Sequence, residues 1–247
     1  METKKVGAQR EQFGRLIASL PFFLNPEVFE NKDRKREIRA HLASGNLVLI
    51  RDALQEAVAQ RMFACLDQYG DWKTYENYEG HFHYHHHNIY EDELYPADLT
   101  WCQGIFASEE TKSVVQELSQ RDCSGNTIFS ASLYKPGDYS FPHNDFAGVQ
   151  GAHRQVAFIW HLSKGWQPNW GGHLFWCRTN RYISPSFNSL ILFNVGPDSY
   201  HHVTQVSPHA TSKRLAISGW WTSIDASQSY PADEDDAAGE HTLVELI

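Results

Sequence analysis

The chain has 247 residues, 41% apolar and 21% charged, which is an ordinary composition for a soluble globular protein with one sizeable core. No apolar run approaches the roughly 18 residues of a membrane span, and no apolar leader is visible at the start, so a cytoplasmic protein is expected. The net charge is −9, but seven acids and no Lys or Arg follow residue 224, so the body carries only −2 and offers no basic surface for nucleic acid.

In chain order, residues 27 to 43 read as a weak helix whose basic run, Lys32 to Arg36, suits a wet face. NLVLI, residues 46 to 50, suits a buried strand. Asp52 is then a candidate helix cap, and Leu54, Val58, Met62, Cys65 and Leu66 follow at helical spacing. Residues 71 to 106 are aromatic and His-rich with poor periodicity, which predicts loops and short strands. Ser108 to Gln120 predicts a helix with Glu109 and Glu110 in its first turn. Cys65, Cys102, Cys123 and Cys177 are scattered and form no CxxC, so reduced, mostly buried thiols are expected.

From about residue 127 the pattern changes. TIFSASLY, QVAFIWHLS, GGHLFWC, NSLILFNV, YHHVTQV and KRLAISGWW are short, β-branched or aromatic, and turn signals separate them. The predicted fold is α+β but mainly β, a jelly-roll barrel with N-terminal supporting helices. Three segments are expected: a mixed support region at 1–125, a barrel at 126–224 and a flexible acidic tail at 225–247.

Two stretches could hold a metal. In FPHNDF, His143 and Asp145 lie two apart, so on an extended segment both side chains point the same way. After the GPDS turn, His201 or His202 could supply a third ligand. Two His and one carboxylate on one face of an ion leave open positions, the arrangement of non-haem Fe(II) oxygenases. Arg214 opens the last strand of the series, and an Arg there needs an anion to offset its desolvation.

The second stretch is HFHYHHHNIY, residues 81 to 90. If extended, His81, His83, His85 and His87 share one face, and Phe82, Tyr84 and His86 the other. An adjacent pair could chelate an ion, but no further ligand stands nearby. Substrate contact, with Tyr75, Tyr78, Tyr84 and Tyr90 as a wall, or a plain surface role is the better expectation.

The ordered set SLYKPGDYSFPHNDF, RQVAFIWHLSKGW, WGGHLFW, FNSLILFNVGPDSYHHVTQV and KRLAISGWW resembles the Fe(II)/2-oxoglutarate-dependent dioxygenases, nearest their prolyl-4-hydroxylase-like branch. The resemblance covers roughly residues 128 to 224 and implies a double-stranded β-helix of the cupin-like kind. It implies His143, Asp145 and His201 as iron ligands, His201 being chosen because Val203 and Val206 fit the family's frame. It implies that Arg214 binds the distal carboxylate of 2-oxoglutarate, with Tyr134 and Leu174 lining the same pocket. A second pocket tyrosine of the family is replaced here by His161, whose neutral ring can still donate a hydrogen bond. Fe(II), 2-oxoglutarate and O₂ are thus the implied cofactors, with ascorbate as an accessory. The implied reaction is hydroxylation of a C–H bond of a prolyl residue, amino acid, peptide or protein, releasing succinate and CO₂. Retention of Asp145 favours hydroxylation over halogenation. The competing reading is a non-catalytic metal-binding or sensing jelly roll.

Overall fold

The computed structural model describes residues 19–146, 153–224 and 244–246. The expected flexible tail falls almost wholly outside them, apart from Val244–Leu246. The N-terminal part is built from short helices at Leu20–Phe23 and Pro26–Phe29, and longer ones at Lys32–Ala43, Glu56–Gln68, Ala97–Ala107 and Glu109–Ser119. The strands are β1 (Val48–Ile50), β2 (Lys73–Asn77), β3 (Tyr84–Ile89), β4 (Thr127–Tyr134), β5 (Tyr139–His143) and β6 (His153–His161). They continue with β7 (Leu174–Trp176), β8 (Arg181–Ile183), β9 (Ser189–Asn194), β10 (His201–Val203), β11 (Arg214–Ser223) and β12 (Val244–Leu246).

Local chemistry explains the helices. Asn31 caps Lys32–Ala43 by accepting from the amides of Asp33 and Arg34, at 2.9 and 3.3 Å. That helix buries Ile38 and Leu42 and turns its basic run to solvent, where Arg34 pairs with Glu37 and Arg36 with Asp33. Such exposed pairs add little stability. Ser108 caps the next-to-strand helix at Glu109–Ser119 through the Thr111 amide.

Two expectations are corrected here. Asp52 does not cap a helix. It sits in a turn at φ 46°, and the Asn188 side chain brackets Leu54 through both its amide and carbonyl, at 3.2 and 2.7 Å. That holds the chain extended until Glu56. The second correction is Ala97–Ala107, a helix inside a region expected to lack one. Its Leu99, Cys102, Ile105 and Phe106 are buried at helical spacing. Intervening aromatic and polar residues weakened that signal in the sequence.

The strands form one continuous path, β12-β1-β9-β6-β11-β4-β3-β5-β10-β7-β8, with β2 hairpinned onto β3. All pairs are antiparallel except β1 with β12. The path curls on itself as a jelly-roll double-stranded β-helix with helices packed on one outer face. Alternation on β11 divides the roles. Leu215, Ile217 and Trp221 face the helices, where Trp221 donates to the Phe106 carbonyl at 2.8 Å. Arg214, Ala216, Ser218 and Trp220 face the barrel interior.

Gly219 lies between these sets. A Cβ there would meet the Ile128 carbonyl oxygen at 1.9 Å and the Phe158 ring at 2.8 Å. Backbone of a paired strand cannot yield by that much. Gly219→Ala should cost about 3 kcal/mol or be poorly folded. A urea midpoint close to wild type would contradict this.

Candidate metal centre

The turn after β5 aims the first two donors. β5 ends at His143, and Asp145 follows in a left-handed conformation, φ 62°. The turn, rather than continued strand alternation, swings the carboxylate back beside the histidine. It is pinned by Asn144, which donates to the Pro197 carbonyl at 2.9 Å, and by Ser199, which donates to the Asn144 carbonyl at 2.7 Å.

β10 supplies the third donor, because His201 stands opposite His143 in the β5–β10 register. His143 Nε2 lies 3.5 Å from Asp145 Oδ1, and His201 Nε2 lies 3.5 Å from Asp145 Oδ2. Ligand atoms of all three lie within 4.8 Å of one another, and no other such group of three occurs among the described residues. His202 points the other way and packs on Phe175, 4.9 Å between ring centroids.

The second ring nitrogens are already engaged. His143 Nδ1 donates to the Phe141 carbonyl at 2.8 Å, and His201 Nδ1 to the Ser199 carbonyl at 2.9 Å. Carbonyls only accept, so both rings carry the proton on Nδ1 and present a lone pair on Nε2. Donors 3.5 Å apart suit atoms each about 2.1 Å from one shared ion. Burial alone would raise the Asp145 carboxyl, but His201, His143, Arg154 and the Trp220 indole outweigh it and hold it below its usual value. Trp220 Nε1 donates to Asp145 Oδ2 at 3.0 Å, and the Arg154 guanidinium covers that indole at 3.9 Å. Burial pushes His143 down to about 4, so the ring is a neutral ligand near neutral pH.

A cavity of about 220 Å³ opens beside these donors and reaches Tyr134, Leu174 and Arg214. Arg214 is 3% exposed. Its Nε donates to the Gly172 carbonyl at 2.6 Å and its guanidinium lies 4.4 Å from the centroid of Tyr134. No acidic side chain pairs with it among the described residues, and burial pushes it down to about 10. His161 is fully buried, one strand from Arg214 with Ala216 as its register partner, and both its ring nitrogens lack a hydrogen-bond partner among the described residues. Burial, reinforced by Arg214, keeps that ring neutral. An unpaired buried cation beside an unsatisfied imidazole is costly unless an anion with oxygen acceptors arrives. The residues therefore fit a metal at one end of the cavity and a carboxylate at the other.

Residues 129–222 match the 2OG-Fe(II) oxygenase superfamily. The barrel is a 2OG-Fe(II) oxygenase domain. That family implies Fe(II), 2-oxoglutarate and O₂, and the donor set found here suits the iron. The chain is 31% identical over 122 residues to prolyl 3-hydroxylase OGFOD1 of Mus musculus, covering 46% of this chain and 22% of that protein. It is 33% identical over 119 residues to prolyl 3-hydroxylase sudestada1 of Drosophila melanogaster, covering 42% and 21%. The chain thus matches only about a fifth of the length of these curated relatives. Among solved structures, a Pseudomonas putida prolyl-4-hydroxylase aligns with TM-score 0.60 at 18% identity, over 76% of this chain and 98% of that one. A Trichoplax adhaerens prolyl hydroxylase, in complex with a hypoxia inducible factor peptide fragment, aligns with TM-score 0.55 at 18% identity, over 79% and 92%. These two share the fold of the oxygenase domain.

Sequence reasoning passed over several residues of the site. Arg154 has no motif, and its approach to Asp145 depends on the strand register of β6 and β11. Trp220 is not one of these, since alternation along the strand already puts it on the face of Arg214, toward the pocket, where it is found. His86 and Asn88 line the same cavity from β3, which the sequence placed outside the barrel.

Proposed function

We propose that this protein is an Fe(II)- and 2-oxoglutarate-dependent hydroxylase acting on a prolyl residue of a peptide or protein. The observation that carries the reading is one cavity holding both a three-donor metal site and a buried Arg that pairs with no acidic side chain among the described residues. His143, Asp145 and His201 would hold the iron, and Arg214, with Tyr134, His161 and Leu174 around it, the co-substrate. When bound, iron and 2-oxoglutarate supply the oxidising power: O₂ is consumed, 2-oxoglutarate becomes succinate and CO₂, and a substrate C–H becomes C–OH. The chain's own part is orientation and exclusion of water. Arg214 would hold the distal carboxylate, Leu174 lines the same cavity, and the neutral His161 ring, near Arg214, would have one N–H to offer.

The prolyl assignment is supported by the names of the relatives and by the cavity mouth. Tyr75, Tyr84 and Tyr90 stack there, with Tyr75 5.1 Å from Tyr84 and 6.1 Å from Tyr90. Such faces suit an apolar pyrrolidine ring. A metal-sensing barrel has no use for a buried Arg in its cavity that no described acidic side chain pairs with, so that reading is less favoured. The four free cysteines are compatible with a cytoplasmic setting, and no helix among the described residues is long and apolar enough to cross a membrane.

Anaerobic addition of Fe(II) and then 2-oxoglutarate should produce a visible charge-transfer band that neither gives alone. Admitting O₂ should convert 2-oxoglutarate to succinate, faster with prolyl peptides present. Metal binding without the band would overturn the oxygenase reading. A band without peptide-stimulated turnover would overturn the prolyl assignment only.

A further inference from the structure

The histidine run finds two uses on β3, one for each face of the strand. On the outer face, His85 Nδ1 meets Asp138 Oδ1 at 2.8 Å and His87 Nδ1 meets Asp138 Oδ2 at 3.0 Å. Asp138 is 2% exposed, and its Oδ2 also accepts from the Lys135 amide at 2.8 Å. Lys135 directly follows Tyr134. The two outer histidines therefore hold the carboxylate that fixes the end of β4.

On the inner face, His86 stacks on Tyr134, with centroids 4.8 Å apart and planes within 1°. β4 lies between β3 and β11 in the sheet, and Tyr134 is the register partner of Arg214. The phenol ring thus has an imidazole from one neighbouring strand and a guanidinium from the other. Neither contact is a metal contact. Both faces of β3 converge on one corner, Tyr134 and Lys135.

We infer that His86 is a positioning residue for the co-substrate: it holds Tyr134 by stacking, and Tyr134 in turn holds the Arg214 guanidinium ready for a carboxylate. The inference rests on the proposed role of Arg214. Flexible cationic side chains lose binding strength when they must be ordered by the ligand, so prior ordering favours affinity. The imidazole also adds no charge at this place. Burial, with Arg214 nearby, pushes His86 down to about 3, so it stays neutral and does not compete for the anion.

The test uses the full chain with Fe(II) under anaerobic conditions and reads the charge-transfer band. His86→Leu removes the ring, and His86→Phe keeps it. His86→Leu should raise the Kd for 2-oxoglutarate about tenfold, the scale of one lost ring contact of about 1 kcal/mol or slightly more. His86→Phe should restore most of that affinity. Fe(II) affinity should not change in either variant. 2-Oxobutyrate, a keto acid without the distal carboxylate, should bind both variants as it binds wild type.

Equal weakening toward 2-oxoglutarate and 2-oxobutyrate would mean general loosening of the cavity and would overturn the inference. So would a His86→Leu variant with wild-type affinity, or a His86→Phe variant as weak as His86→Leu. A wild type that gives no band would overturn the co-substrate reading itself, and this inference with it.

Discussion

Asp145→Ala should abolish iron-dependent 2-oxoglutarate turnover while leaving the protein folded. The variant removes the one anionic donor and leaves His143 and His201 as a two-nitrogen site. Loss of an outer-shell partner alone typically costs 10–100-fold in metal affinity or activity, so loss of this donor should cost at least about a hundredfold. Stability should change little. Asp145 sits in a turn at the cavity and the Asn144 and Ser199 bonds that pin the turn remain, although Ala tolerates the left-handed backbone less well than Asp, at a cost of about 1 kcal/mol. The Trp220 indole loses its acceptor, a modest cost because the cavity admits water. Fe(II) binding by competition with a metal indicator, succinate release and a thermal midpoint together test this. A variant with turnover within a few-fold of wild type would remove Asp145 from the metal site.

How much of this was legible beforehand varies by element. β4, β6, β9 and β11 announced themselves because one face of each is apolar against the helices, and their side chains alternate or run continuously buried. The spacing of His143 and Asp145 pointed to shared direction, but for a reason that does not operate. A positive φ at Asp145, not strand alternation, brings the carboxylate round. The choice between His201 and His202 came from resemblance to a family frame. In the structure it follows from register, since His201 pairs across from His143 while His202 faces Phe175.

Other parts depend on long-range contacts that no local pattern encodes. Leu54 looked like the start of a helix, yet Asn188, far along the chain, fixes its backbone through both polar groups. The segment at 84 to 89 read as part of a region of loops and short strands ahead of the barrel, and it is a strand between β4 and β5. Its alternation was visible, so the faces of His85, His86 and His87 could be assigned. Their partners, Asp138 and Tyr134, could not be, because only sheet order sets them side by side.

Arg214 gives the other large effect, and here binding and stability should move in opposite directions. Arg214→Met keeps a long apolar stem and removes a charge that no described acid offsets. In the unliganded protein that charge is 3% exposed and its cost shows as a pKa pushed down to about 10. Replacing buried ionic groups by apolar residues of similar volume is often neutral or stabilising by about 1–4 kcal/mol. Loss of the bond to the Gly172 carbonyl offsets about 1 kcal/mol of this. The thermal midpoint without ligand should therefore hold steady or rise. The Kd for 2-oxoglutarate should rise at least about a hundredfold, since charge-assisted pairing in a dry site is lost together with its orientation. Fe(II) affinity should be untouched, because His143, Asp145 and His201 keep their own bonds. Addition of 2-oxoglutarate should raise the midpoint of wild type with Fe(II) and leave that of the variant unchanged. A destabilised variant that still binds 2-oxoglutarate would mean that Arg214 serves the fold, through Gly172 and Tyr134, and that the carboxylate is held elsewhere.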